Sequence, residues 1–182
     1  MLTNIMGEYP HSCELHLLTT LAVQECDGRD GVVDGIISNP KACAFDPFLH
    51  IGRTFTCLSE HKSMKLSRAA AVIANASWAG LTDSHRNFIW YGLNHGTDIS
   101  GVVTSTGIAA TTCNKNIYQG NPIPLAYQWI QLFVEKDPNY DYTAITQQGY
   151  DEIMRNNLIF IFSELHPHIP IFSRYLTTIF LS

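Results

Sequence analysis

Between Cys26 and Cys43 the chain reads CDGRDGVVDGIISNPKAC, which places Asp27, Asp30 and Asp34 within eight residues, interleaved with Gly28, Gly31 and Gly35. Three carboxylates held that close repel one another unless a cation sits among them. Hard oxygen donors on a flexible loop are what Ca²⁺ takes. The glycines let the backbone turn so that main-chain carbonyls also face inward. The ligand set this spacing offers is the carboxylates of Asp27, Asp30 and Asp34 with the carbonyls of Val32 and Ile36. Val32, Val33, Ile36 and Ile37 would then anchor the loop to a core. The loop is not an EF-hand, which needs Asp at alternate positions, a Gly at the sixth and a bidentate Glu at the twelfth. The same residues also suit a solvated pair of Asp-Gly turns leading into a short strand from Gly35 to Ser38.

A longer stretch around the loop, CELHLLTTLAVQECDGRDGVVDGIISNPKACAFDPF, resembles the calcium-loop segment of the tannase and feruloyl esterase family. The residues that carry the likeness are Cys13-Glu14-Leu15, Cys26 through Ile37, and Pro40 through Pro47. Trp90–Thr97 (WYGLNHGT), Gly120–Pro138 and the Tyr150-Asp151 region resemble fungal members as well, so that residues 1–157 are covered. The resemblance implies an α/β fold: a fragment of an α/β-hydrolase, mainly its inserted lid domain, with short helices and small strands around a calcium loop. It implies a structural Ca²⁺ held by Asp27, Asp30, Val32, Asp34 and Ile36, and a secreted serine esterase acting on feruloyl or galloyl esters. It also supports a Cys26–Cys43 disulfide, which would close a loop of about 16 residues and contribute on the order of 3 kcal/mol through the unfolded chain's entropy.

Composition narrows the remaining classes. The 182 residues are 46% hydrophobic and 15% charged, with net charge −5 and no Lys/Arg cluster, so the electrostatic footprint of a nucleic-acid binder is missing. No run of 18 apolar residues suggests a membrane-spanning helix. Five cysteines and one N-glycosylation sequon, Asn75-Ala76-Ser77, read as extracellular. The opening MLTNIMGEYPHS has neither a basic n-region nor an apolar h-region, and this mismatch points to a missing N-terminal portion. Five cysteines cannot all pair within one chain, and the partners of Cys13, Cys57 and Cys113 stay open.

Several elements must position the loop. Residues Cys13 to Glu25 read as a helix with Ser12 as N-cap and a stripe of Leu15, Leu18 and Ala22 beside Leu21. Gly52 to Cys57 reads as extended. Ser67 caps a second helix in which Ala69, Val72, Ile73 and Ala76 recur at helical spacing, ending near Gly80. Asn75 falls inside that helix, which weighs against its glycosylation. Phe88-Ile89-Trp90-Tyr91 reads as a core strand, with stacking on a phenolic group as the functional alternative. Residues 98–119 read as loops with short strands. A third helix, Ala126 to Glu135, offers Trp129, Ile130, Phe133 and Val134 for packing, and Thr146 caps a fourth through Asn157.

The last stretch, 158–182, crowds Ile, Phe and Leu without a period of 2 or 3.6 and is read as a divergent tail outside the family's sequence. A serine esterase needs a nucleophile elbow, a histidine and an acid. The nearest approach to Gly-x-Ser-x-Gly is Val103-Thr104-Ser105-Thr106-Gly107, which lacks the first glycine. His166 and His168 flank Pro167 with no third ligand nearby. No catalytic residue is assigned, and the chain is expected to be inactive alone. The competing reading is a non-catalytic, calcium-stabilised binding module.

Overall fold

The computed structural model describes residues 6–102, 107–114 and 117–155, and for Cys113, Asn114 and Ile117 the backbone only. The elbow-like Val103–Thr106 segment, His166, His168 and the stretch 158–182 fall outside the described residues. Its contacts divide the chain into two compact units, Met1–Gln128 and Trp129–Ser182.

In the first unit, helix α1 runs over Ser12–Cys26. Its N-cap is His11, one residue before the expected Ser12: the imidazole Nδ1 accepts from the Cys13 amide at 3.1 Å. Glu14 Oε1 accepts from the His11 amide at 2.9 Å, completing a capping box. A ring nitrogen has taken the place of the hydroxyl or carboxylate that sequence rules look for. Helix α2, Arg68–Ala79, is capped as expected by Ser67, whose Oγ accepts from the Ala70 amide at 3.1 Å. Glu14 Oε2 accepts from the Ser67 amide at 2.6 Å. One buried carboxylate therefore ties together the first turns of both helices.

The core lies between them. Leu15, Leu18, Leu21 and Ala22 of α1 meet Ala70, Ile73, Ala74 and Trp78 of α2, joined by Ile37, Phe45, Leu66 and Ile99. Val72 and Ala76 are only half-buried, so the apolar stripe of α2 is rotated from the one expected. Trp78 sets that rotation, because its large ring buries against Phe45 (centroids 5.7 Å, edge-on) and His95 (4.9 Å). Burial also depresses the pKa of His95. Gly80 ends α2 at φ +90°, and a Cβ there would strike the backbone of Trp90, Tyr91 and Gly92. Only glycine lets the helix end lie against that strand.

Three antiparallel two-stranded ribbons complete the unit: β1 (Thr54–Cys57) with β2 (Lys62–Lys65), β3 (Leu81–Thr82) with β4 (Phe88–Trp90), and β5 (Thr111–Asn114) with β6 (Ile117–Gly120). Among the described residues there is no parallel sheet. The aromatic run is strand β4, yet it is not core: Phe88, Trp90 and Tyr91 are exposed. A ribbon whose partner strand has two residues carries no second layer to cover alternate side chains.

Helix α3 covers Pro124–Trp129, starting two residues before the expected Ala126, and the run continues as a π-turn over Ile130–Val134, ending one residue before the expected Glu135. Phe133, expected to pack, is exposed. In the second unit Gln131 Nε2 donates to the Tyr140 carbonyl at 2.9 Å. Residues 147–155 form helix α4. Thr146 Oγ1 accepts from the Gly149 amide at 3.1 Å, the cap expected of it. Burial, together with the charge of Asp151, pushes the Tyr150 phenol up to about 12.

Candidate metal loop and its disulfide clamp

Helix α1 delivers the chain to Asp27 and the backbone tightens into a 3₁₀ turn over Asp27–Asp30. Gly31 follows at φ +96° and Gly35 at φ +82°, the left-handed conformations the loop needs to reverse. Cys26 and Cys43 are joined as a disulfide, the pair the family resemblance implied. A second disulfide joins Cys13 to Cys57 and fastens the start of α1 to the end of β1.

Asp27, itself buried, organises the loop. Its Oδ1 accepts from the amides of Asp34 (3.1 Å), Gly35 (3.0 Å) and Ile36 (3.2 Å). These bonds fold the chain back by up to nine residues and bring the Asp34 backbone beside Asp27. Asp30 accepts from the Val32 amide through Oδ1 (2.9 Å) and from the Ser38 amide through Oδ2 (3.2 Å). The Val32 bond, helped by the backbone and side chain of Ser38, holds the Asp30 carboxyl below the usual carboxylate range. Asp34 Oδ1 accepts from the Ile36 amide at 3.0 Å.

What the structure shows at Val32 and Ile36 is thus their amides turned to the carboxylates. Val32, Val33 and Ile36 are exposed, and of the four expected anchors only Ile37 enters the core. The physical reason is competition: residues 34–36 are committed through their backbone to Asp27, which leaves a single apolar side chain at the loop's exit to reach the helices. No strand forms over Gly35–Ser38.

The loop's donor set can be compared with what a hard divalent cation takes. All of its side-chain donors are carboxylate oxygens, Asp27 and Asp34 use only Oδ1 in the hydrogen bonds above, and the disulfide holds the two ends together. Carboxylate oxygens are the donor class that calcium takes, but the structure does not gather the three carboxylates of Asp27, Asp30 and Asp34 within 4.8 Å of one another. Among the described residues, the one trio of His, Cys, Asp or Glu ligand atoms lying within 4.8 Å of one another is His11, Cys13 and Cys57. The sulfurs of that trio are bonded to each other, so they offer no thiolate to a metal.

A family model described as tannase and feruloyl esterase matches residues 2–165, nearly the whole chain. The chain belongs to the tannase and feruloyl esterase family. Among curated relatives it is 26% identical over 151 residues to a probable feruloyl esterase of Arthroderma benhamiae, covering 82% of this chain and 26% of that protein. A probable feruloyl esterase B-1 of Aspergillus terreus is 24% identical over 140 residues, covering 74% and 23%. The chain therefore spans about a quarter of the length of these relatives. Among solved structures, a tannin acyl hydrolase from Aspergillus niger superposes with a TM-score of 0.73 at 20% identity, over 89% of this chain and 30% of that one. Feruloyl esterase B from Aspergillus oryzae gives 0.60 at 18% identity, over 81% and 26%. The fold of this chain is thus that of a segment of such enzymes.

Proposed function

We propose that this chain is the calcium-stabilised lid segment of a secreted serine carboxylic ester hydrolase acting on feruloyl or galloyl esters. The observation that carries this reading is the family match over residues 2–165, which encloses the disulfide-clamped carboxylate loop. The two disulfides support passage through an oxidising compartment. In this reading Asp27, Asp30 and Asp34 hold the ion by their carboxylates, and Val32 and Ile36 hold it by their carbonyls. Bound calcium supplies a cross-link that neutralises three mutually repelling carboxylates. The chain's own part is to keep the loop and its two helices as one rigid body. A lid of that kind shapes the acyl side of a substrate cleft and excludes water from it. The segment contributes no catalytic residue.

Calorimetric titration of the oxidised chain with Ca²⁺ tests the reading. One saturable site is expected, lost in Asp34→Asn, alongside no turnover of methyl ferulate or methyl gallate. Absence of calcium binding removes the ion from the proposal. Turnover that persists in Ser105→Ala, with contaminating esterase excluded, overturns the non-catalytic assignment.

A further inference from the structure

The sequon Asn75-Ala76-Ser77 plays no part in the loop or the core, and the structure places it on the outer side of α2. Asn75 is exposed. It shares a helical stripe with Arg68, Val72 and Ala79, of which Arg68 and Ala79 are exposed and Val72 half-buried. The opposite stripe, Ala70, Ile73 and Ala74, is in the core. Asn75 lies at the border of the buried face, with Ala71 one turn before it and Trp78 three residues after it both buried, and its own side chain is exposed in this segment. The folded helix is nonetheless a poor acceptor, because Ser77 Oγ already donates to the Ile73 carbonyl at 2.9 Å and the sequon's backbone is committed to the helix. The transferase needs both the hydroxyl and a flexible backbone.

We propose that Asn75 is an N-glycosylation site, modified before α2 closes, and that its glycan fixes this side of α2 as solvent-facing. The helix weighs against the sequon only if transfer follows folding. When the sequon is modified as an unfolded chain, what the folded state must supply is room, and it does. In the reaction the Asn75 side-chain nitrogen forms a bond to C1 of a lipid-linked oligosaccharide. The bond from C1 to the pyrophosphate breaks, the lipid pyrophosphate leaves, and the amide proton passes to solvent. The proposal rests on the secretory part of the reading above.

The test is translation of the full chain, preceded by a cleavable signal sequence, in the presence of microsomes. The protease-protected product is expected to run one glycan step slower than after Endo H treatment. The step is lost in both Asn75→Gln and Ser77→Ala, and occupancy rises in Ser77→Thr. A variant with an added sequon near the C-terminus reports import independently. If that variant gains one step while the wild-type chain shows none, the proposal is overturned, whatever becomes of the secretory reading. The secretory reading is tested separately, by whether both disulfides form in the protected chain.

Discussion

The helix pair and the loop that leaves it are held together by different physics. Between α1 and α2, Leu15, Leu18, Ala70 and Ala74 are completely buried and the stability comes from apolar packing. Only a few residues on, Val33 is 84% exposed and Val32 and Ile36 more than half exposed, so the loop gains almost nothing from burial. Its order comes from a disulfide and from carboxylates that accept backbone amides. The core therefore has to respond to volume, and the loop to charge, redox state and ions.

The largest break falls on the core side. Leu18→Ala removes a fully buried side chain and is expected to cost roughly 2–5 kcal/mol, read as a drop in the urea midpoint with an unchanged slope. On the loop side, replacing Cys26 and Cys43 together by Ala is expected to cost about 3 kcal/mol, because the closed segment has a sequence separation of 17. The two losses should not simply add, since Cys26 is itself buried in the core cluster that holds Leu18, and Cys43 packs against that cluster. Strict additivity would mean that the disulfide acts on the loop alone.

Calcium separates the regions next. At a hundredfold excess over Kd a ligand bound only by the folded state adds about 2.7 kcal/mol. A melt in calcium against one in excess EGTA should show that gain for the wild-type chain and for Leu18→Ala alike, and no gain for Asp30→Asn. Equal melting temperatures of wild type in both buffers would return the three aspartates to the role of solvated turn residues.

What was legible in the sequence follows the same division. Local signals held: Ser67 before α2, Gly80 after it, Thr146 before α4, and the Leu15/Leu18/Ala22 stripe. Each depends on residues a few positions apart. Glu14's bond to the Ser67 amide spans 53 residues and the Cys13–Cys57 bridge spans 44, and no periodicity reports either. The apolar residues misled most. Val32, Val33, Ile36 and the Phe88–Tyr91 run have core-forming side chains, but among the described residues no second layer covers them. Burial belongs to the partner surface as much as to the residue type.

The finest test uses pH. Three aspartates, Asp83 half-buried and the others exposed, have carboxyls held below the usual range: Asp30 chiefly by the Val32 amide, Asp83 chiefly by the Asn87 side chain, and Asp141 chiefly by the Thr143 side chain. A carboxyl whose pKa is lower folded than unfolded stabilises the protein above its unfolded value, near 3.8, and that contribution is lost as pH falls through the lower folded value. Wild-type melting temperature in metal-free buffer should therefore fall below about pH 4, and Asp30→Asn and Asp83→Asn should each flatten the fall slightly. Calcium distinguishes these two residues. An ion that requires ionised Asp30 competes with its protonation, so adding calcium should move the wild-type fall to lower pH. With calcium present the Asp30→Asn difference should widen, whereas the Asp83→Asn difference should stay as it was in metal-free buffer. If calcium shifts both differences equally, the ion acts through general screening of the net negative charge. The loop would then have no electrostatic identity beyond that of any other Asp turn on the surface.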